Sequence, residues 1–250
     1  MYLEARNLVF NRGKFSLQDV SFRAEEGTIT GIGGRNGSGK STLLRALYGF
    51  HRITSGDVVI GGKSLTGMGP REISRRISVV SQEVSEPFNF TVGEVVSISG
   101  YSLEIEKSGV RDVLEVCGIG DLEKRPFNEI SGGERRLALI AAAIYQDADI
   151  LLLDEPTAFL DVDKEIRVID ILRKLRDSGK NIIVVLHDVY LLSRLCDRVV
   201  LIRDGRIPAS RPWDDVMTIE NLDKTYSVEF TILEGEGPYR FAAKYFNGSG

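Results

Sequence analysis

The chain has 250 residues, 42% hydrophobic and 27% charged, with a formal net charge of −4. That composition suits one large α/β domain with room for a small inserted one. It excludes the overall basic footprint of a nucleic-acid binder, and no apolar run approaches the ~20 residues needed to cross a bilayer. No signal-peptide pattern precedes the first strand, and Cys117 and Cys196 match no metal spacing, so the chain reads as cytosolic and reduced.

Residues 2–27 read as strands and turns, with Leu8-Val9-Phe10 and residues 17–22 as the strand cores and Glu26-Gly27 as a turn. They predict a small antiparallel layer. Residues 28–33 are strand-like. Next come Gly34, Arg35, Asn36, Gly37, Ser38, Gly39, Lys40, Ser41 and Thr42, which match the phosphate-loop pattern G-x-x-x-x-G-K-[ST]. The glycines permit positive φ and close backbone approach, and the inward N–H groups form an anion nest. Lys40 supplies a point charge for β- and γ-phosphates, and the Ser41 hydroxyl suits magnesium. Leu43, Leu44, Leu47 and Phe50 repeat at helical spacing, so Lys40 should open a helix whose N-terminus adds partial positive charge. His51 falls in a loop and carries no signal.

Val58-Val59-Ile60 followed by Gly61-Gly62 predicts a hairpin. Residues 77–81 form a short apolar strand ending at Gln82, whose amide can touch magnesium or water. From residue 83 to 147 the character is helical, with candidates at 91–99 and 110–117. Ser131, Gly132, Gly133 and Glu134 spell a capping box before a helix with Leu137, Ile140, Ala141 and Ile144 on one face. Such a start exposes N–H groups and a hydroxyl, a second phosphate nest suited to another subunit's nucleotide.

Residues 150–153 form an apolar run ending in Asp154 and Glu155, the pattern of a buried parallel strand. Ligands of open α/β sheets bind beyond the carboxyl ends of the strands. Asp154 there suits magnesium, and Glu155 can polarise a water against a γ-phosphate. Asp161 follows after a turn at Pro156. Residues 164–176 repeat at helical spacing before a Ser178-Gly179 stop. Residues 182–186 lead to His187 at the same rim, and 199–202 form a last core strand before an Asp204-Gly205 turn. Strands alternating with helices imply a parallel sheet. Beyond it, residues 218–224 read as a helix, 228–233 as a strand and 247–250 as a loose end.

Together these residues resemble the ATP-binding cassette family, the nucleotide-binding subunits of ABC transporters, over nearly the whole chain. Gly34–Thr42 resembles its Walker A, Gln82 its Q-loop, Ile130-Ser131-Gly132-Gly133-Glu134 its signature, residues 150–155 its Walker B with the catalytic Glu155, Ala158-Phe159-Leu160-Asp161 its D-loop, and His187 its switch histidine. The resemblance implies a P-loop NTPase fold: a RecA-like α/β core with a mixed, mainly parallel sheet, an antiparallel β subdomain and an inserted α-helical subdomain. The expected division is a core of 1–82 and 148–207, a helical subdomain of about 83–147 and a C-terminal extension of 208–250. It also implies ATP with Mg2+ held by Ser41, Gln82 and Asp154, and a second cassette subunit whose Ser131, Gly132 and Gly133 complete each site.

Integral membrane permease subunits should dock near Gln82 and the helical subdomain, at the cytoplasmic face of the membrane, with no nucleic-acid partner. Arg35 stands where the family usually has proline. The family's adenine-stacking aromatic falls, by spacing from Leu8, on Arg12, with Phe15 the nearest aromatic on the same loop. Residues 86–101 and 212–226 are similar to importers of iron-siderophore, haem or cobalamin. A non-transport relative, such as an iron–sulfur cluster assembly ATPase, and a P-loop kinase are the alternatives.

Overall fold

The structure is a computed structural model that describes residues 1–13, 15–82, 90–101, 109–207, 216–232 and 241–243. Residues 86–89 and 212–215 of the importer-like stretches, and the expected loose end at 247–250, lie outside these. Strands β1 (Leu3–Arg12), β2 (Phe15–Ala24), β4 (Ser55–Ile60) and β5 (Lys63–Ser64) make an antiparallel sheet in the order β2-β1-β4-β5. Strands β3 (Ile29–Gly33), β6 (Ile77–Val80), β7 (Ile150–Asp154), β8 (Asn181–Val185) and β9 (Arg198–Leu201) make a second sheet in the order β6-β7-β8-β3-β9. Every pairing in this second sheet is parallel, whereas every pairing in the first is antiparallel.

The parallel strands are uninterrupted apolar runs because both their faces are covered. Along β7, Ile150 and Leu152 face the antiparallel sheet, while Leu151 and Leu153 face a layer of helices. In β8, Ile183 and Val185 take the first side and Ile182 and Val184 the second. Between the two sheets lies α1 (Lys40–Leu47), with Leu43, Leu44 and Leu47 buried against Leu8, Leu17 and Ile60. Phe50 does not continue this stripe. The chain turns at Gly49 (φ 78°), and Phe50 is 66% exposed.

On the other face, α5 (Gly132–Tyr145) and α6 (Val162–Asp177) cover the sheet. Helices α3 (Val92–Tyr101) and α4 (Val110–Val116) pack on α5 around Val96, Leu114, Phe127 and Ile140. Their apolar residues are continuous with those under the sheet, so the helical region shares its core with the rest of the chain. Two short helices carry too little periodicity to be read from sequence: α2 (Pro70–Arg76), which has no buried residue, and α7 (Val189–Leu195). Near the C-terminus α8 (Ile219–Tyr226), capped by Thr218, is followed by the antiparallel pair β10 (Phe230–Ile232) and β11 (Phe241–Ala243). Leu222, Phe230 and Phe241 anchor this unit to the helical face of the sheet.

Phe127 is fully buried at the centre of the helical region. Truncating a buried phenylalanine removes its transfer energy and leaves a cavity, together about 3–5 kcal/mol. Phe127→Ala is expected to lose that much in urea unfolding, and a loss below about 1 kcal/mol would contradict a packed core there.

Candidate functional site

Because β3, β6, β7 and β8 run in parallel, their carboxyl ends share one rim. The residues just beyond those ends are the loop 34–39, Gln82, the Asp154–Glu155 pair and His187. At this rim opens a cavity of about 740 Å3 whose lining includes Asn36, Gly37, Gly39, Lys40, Ser41, Thr42, Gln82, Glu155 and His187, while Gly34 and Asp154 lie outside the lining. That volume is typical of a site for a small molecule.

The loop and α1 meet through Gly39 at φ 110°. A side chain at Gly39 would sit 2.5 Å from the Phe15 ring, so its absence lets that ring lie against the loop. Phe15 thereby reaches the cavity, whereas its hairpin partner Arg12 is exposed and does not line it. Lys40 is buried, and its Nζ donates to the carbonyls of Gly34 (2.8 Å) and Arg35 (3.1 Å). Burial lowers its pKa, opposed by the carboxylates of Glu155 and Asp154. The helix start leaves backbone N–H groups facing the same concavity, a ready anion site.

Asp154 is buried and accepts a hydrogen bond from Ser41 Oγ at 3.1 Å. Burial raises its pKa, the Ser41 bond lowers it, and the neighbouring Glu155 raises it. Glu155 stands at φ 50°, a region costly for a residue with a side chain, and its N–H donates to Val185 O at 3.1 Å. Its carboxylate accepts from Gln82 Nε2 at 3.1 Å. Among the described residues no group of three or more His, Cys, Asp or Glu side chains could hold a metal alone. The oxygen donors of Ser41, Asp154 and Gln82 fit magnesium, which typically binds through one or two carboxylates plus phosphates and water.

The Ser131–Glu134 start is a capping box, with Glu134 N donating to Ser131 Oγ and Ser131 N donating to Glu134 Oε2 at 2.7 Å. The side chain and then the backbone N–H of Ser131, both hydrogen-bonding the Glu134 carboxyl, hold it below its usual pKa. Ser131, Gly132, Gly133 and Glu134 do not line the cavity of their own chain. Gly133 packs against Leu160 and Lys164, and the Lys164 ammonium pairs with Asp161 at 3.0 Å. Ser38 is buried and Arg35 exposed, both outside the cavity lining.

Arg136 escaped the sequence reading, which named Phe159 only within the stretch 158–161 and gave it no place at the cavity. Arg136 is buried, and its guanidinium donates to the carbonyls of Ser81 (2.8 Å) and Gln82 (3.3 Å), clamping the end of β6. Its signal is a charge inside the apolar face of α5. Phe159 lines the cavity, 96% exposed at φ 62°. His51 stacks on Phe10 with ring centroids 4.8 Å apart, a packing role. Both cysteines are buried, and burial pushes the Cys117 thiol up to about 12.

A phosphate loop between a parallel strand and a helix, with a serine–aspartate contact across the sheet rim, defines a P-loop nucleotide-binding fold. The sequence pattern of the ABC transporter family matches residues 17–158, and the chain belongs to that family. It is 34% identical over 223 residues to a cobalamin import ATP-binding protein of Halobacterium salinarum, covering 86% of this chain but only 56% of that protein's length. It is 35% identical over 248 residues to a hemin import ATP-binding protein of Bordetella bronchiseptica, covering 93% of this chain and 95% of that one. A solved metal-chelate type ABC transporter in an inward-facing conformation has a chain that superposes with a TM-score of 0.83 at 28% identity, with 97% of each chain covered. An ATP-binding cassette of an ABC transporter in its ADP conformation gives 0.78 at 25% identity, covering 90% of this chain and 97% of the other.

Because burial raises the Asp154 pKa, the folded chain binds that proton more tightly than the unfolded one. The resulting stability is present below the unfolded pKa and lost as pH rises through the folded one. At neutral pH the ionised carboxylate is therefore a cost in the nucleotide-free protein. Asparagine keeps an acceptor for Ser41 without the charge. Asp154→Asn is expected to raise the melting temperature at pH 7, with the gain vanishing below the ordinary carboxylate range. A lower melting temperature at pH 7 would contradict the electrostatic account.

Proposed function

We propose that this chain is the ATP-hydrolysing subunit of an ABC importer, and that its solute is a metal chelate such as an iron-siderophore, haem or cobalamin. The observation that carries the reading is the meeting of Lys40, Ser41 and the Gln82–Glu155 pair on one cavity, with Asp154 joined to it through its hydrogen bond from Ser41. The solute class rests on the names of the hemin, cobalamin and metal-chelate relatives.

In this reading residues 34–42 cradle the triphosphate with their backbone N–H groups. Lys40 exchanges its two carbonyl partners for phosphate oxygens. Ser41 and Asp154, aided by Gln82, would hold magnesium, which would supply positive charge to the phosphates. Glu155 accepts a hydrogen bond from the attacking water, Gln82 orients Glu155, and His187 faces the terminal phosphate from the next strand end. Such catalysis is mainly positioning and electrostatics. Phe15, at the cavity, is the better placed of the two adenine-stacking candidates, ahead of Arg12.

Ser131, Gly132, Gly133 and Glu134, with Asp161, serve the site of a second cassette subunit. Their position away from the cavity of their own chain supports that arrangement. Residues 83–147 form the helical subdomain and 208–250 an extension of the core at 1–82 and 148–207. Permease subunits dock near Gln82 and the helical subdomain at the cytoplasmic face of the membrane. Among the described residues no helix is long and apolar enough to cross a bilayer.

Glu155→Gln is expected to lower ATP turnover about 10²–10⁴-fold, the range for a lost general base, while ATP still drives dimerisation in size-exclusion chromatography. An active variant would remove Glu155 from the base role. Mixing Lys40→Ala with Ser131→Arg subunits should restore activity above either parent through one intact composite site; no gain would count against sharing between subunits. Co-purification with membrane permease subunits would support the importer reading, and recovery with cluster-assembly proteins would overturn it.

A further inference from the structure

The two residues whose carbonyls hold Lys40 are themselves held from outside the loop. Gly34 N donates to the phenol oxygen of Tyr226 at 3.0 Å, and the Arg35 guanidinium donates to Ser227 Oγ at 3.1 Å. Tyr226 ends α8 and Ser227 is its C-cap. Both lie 192 residues away from their partners in sequence.

The local chemistry fits a dedicated contact. Gly33 leaves room for it: a side chain there would sit 3.0 Å from the Tyr226 oxygen and 2.6 Å from Leu192. Burial, with the nearby Asp188 charge, raises the Tyr226 pKa, so the phenol stays neutral across ordinary pH and its contact with Gly34 is insensitive to titration there. Ser227 sits at φ 56°, a left-handed cap where glycine is favoured. A serine there forgoes that advantage, and its hydroxyl is the group that engages Arg35. Behind the loop a recess of about 220 Å3 separates Arg35 and Gly37 from Arg203 and Thr225, so the outer side of the loop is not packed solid.

We propose that Tyr226 and Ser227 form a latch that sets the phosphate loop's geometry through Gly34 and Arg35, making Tyr226 a positioning residue for nucleotide binding. The C-terminal segment then tunes ATP affinity without touching ATP. The latch also accounts for Arg35, which stands where the family usually has proline. The backbone carbonyl of Arg35 holds Lys40 while its side chain ties the loop to α8. The latch rests on the ATP-site reading above.

The test measures ATP affinity by calorimetry, steady-state KM and kcat, and melting temperature for the full chain and its variants. A net hydrogen bond is worth a few-fold to about tenfold in an equilibrium constant. Tyr226→Phe and Ser227→Gly are each expected to raise Kd and KM for ATP about 3–10-fold, with kcat at saturating ATP within about twofold. Ser227→Gly should at the same time hold or raise the melting temperature, because glycine suits the left-handed cap. Weaker binding in a more stable protein separates positioning from general destabilisation. Arg35→Ala combined with Ser227→Gly should bind no more weakly than the weaker single variant. Wild-type affinity in both Tyr226→Phe and Ser227→Gly would overturn the latch alone. No ATP binding by the wild-type chain would instead overturn the nucleotide reading, and the latch with it.

Discussion

Lys40 carries a cation into a buried place at the mouth of the parallel sheet, and its hydrogen bonds go to two backbone carbonyls. Burial disfavours the charge, and the carboxylates of Glu155 and Asp154 act on it through space. Asp154, buried at the end of β7 and separated by β8 from the strand that leads to Lys40, bears the opposite burden and is raised in pKa by burial. The site thus holds separated charges that water solvates poorly. An incoming polyanion with a divalent cation relieves both at once, since phosphate oxygens suit the ammonium and a metal suits the carboxylate. The fold around them keeps these charges in register, and parallel strand pairing is what brings their bearers to one edge.

Two helix ends extend that frame. At one, α5 begins with a closed capping box at Ser131 and Glu134, and Arg136 on the same first turns reaches the carbonyls of Ser81 and Gln82. The helix start and the strand end carrying Gln82 are therefore parts of one rigid connection. At the other, α8 ends on the phosphate loop through Tyr226 and Ser227. The loop is fastened from behind by residues remote in sequence, while its front remains open to the cavity.

The fold is legible in the sequence where hydrophobic period and turn chemistry agree. The buried runs of β7 and β8, the Gly61-Gly62 hairpin, the Ser131 box and the Ser178-Gly179 stop all follow from local residue types. The stripe of α1 reads too far, to Phe50, because the same spacing continues past the Gly49 turn. In the site, Lys40, Ser41, Gln82, Glu155 and His187 can be read because each sits where a strand or loop pattern ends. Arg136 and Tyr226 cannot. Their partners are backbone groups, whose identity leaves no mark in the sequence, and for Tyr226 that partner is distant. The choice between Arg12 and Phe15 needs the hairpin itself, which turns one toward solvent and the other toward the cavity.

Glu155 illustrates how backbone and side chain place separate demands on one position. At φ 50° its backbone would suit asparagine, aspartate or glycine better than glutamate. Its carboxylate reaches Gln82 only with the longer side chain that this geometry disfavours. Substitution drift at this position is therefore pulled two ways. Selection for thermal robustness alone would move it toward short or absent side chains, and only the need to present an oxygen at that reach keeps a glutamate there. A laboratory lineage selected for stability without activity would be expected to lose this residue early.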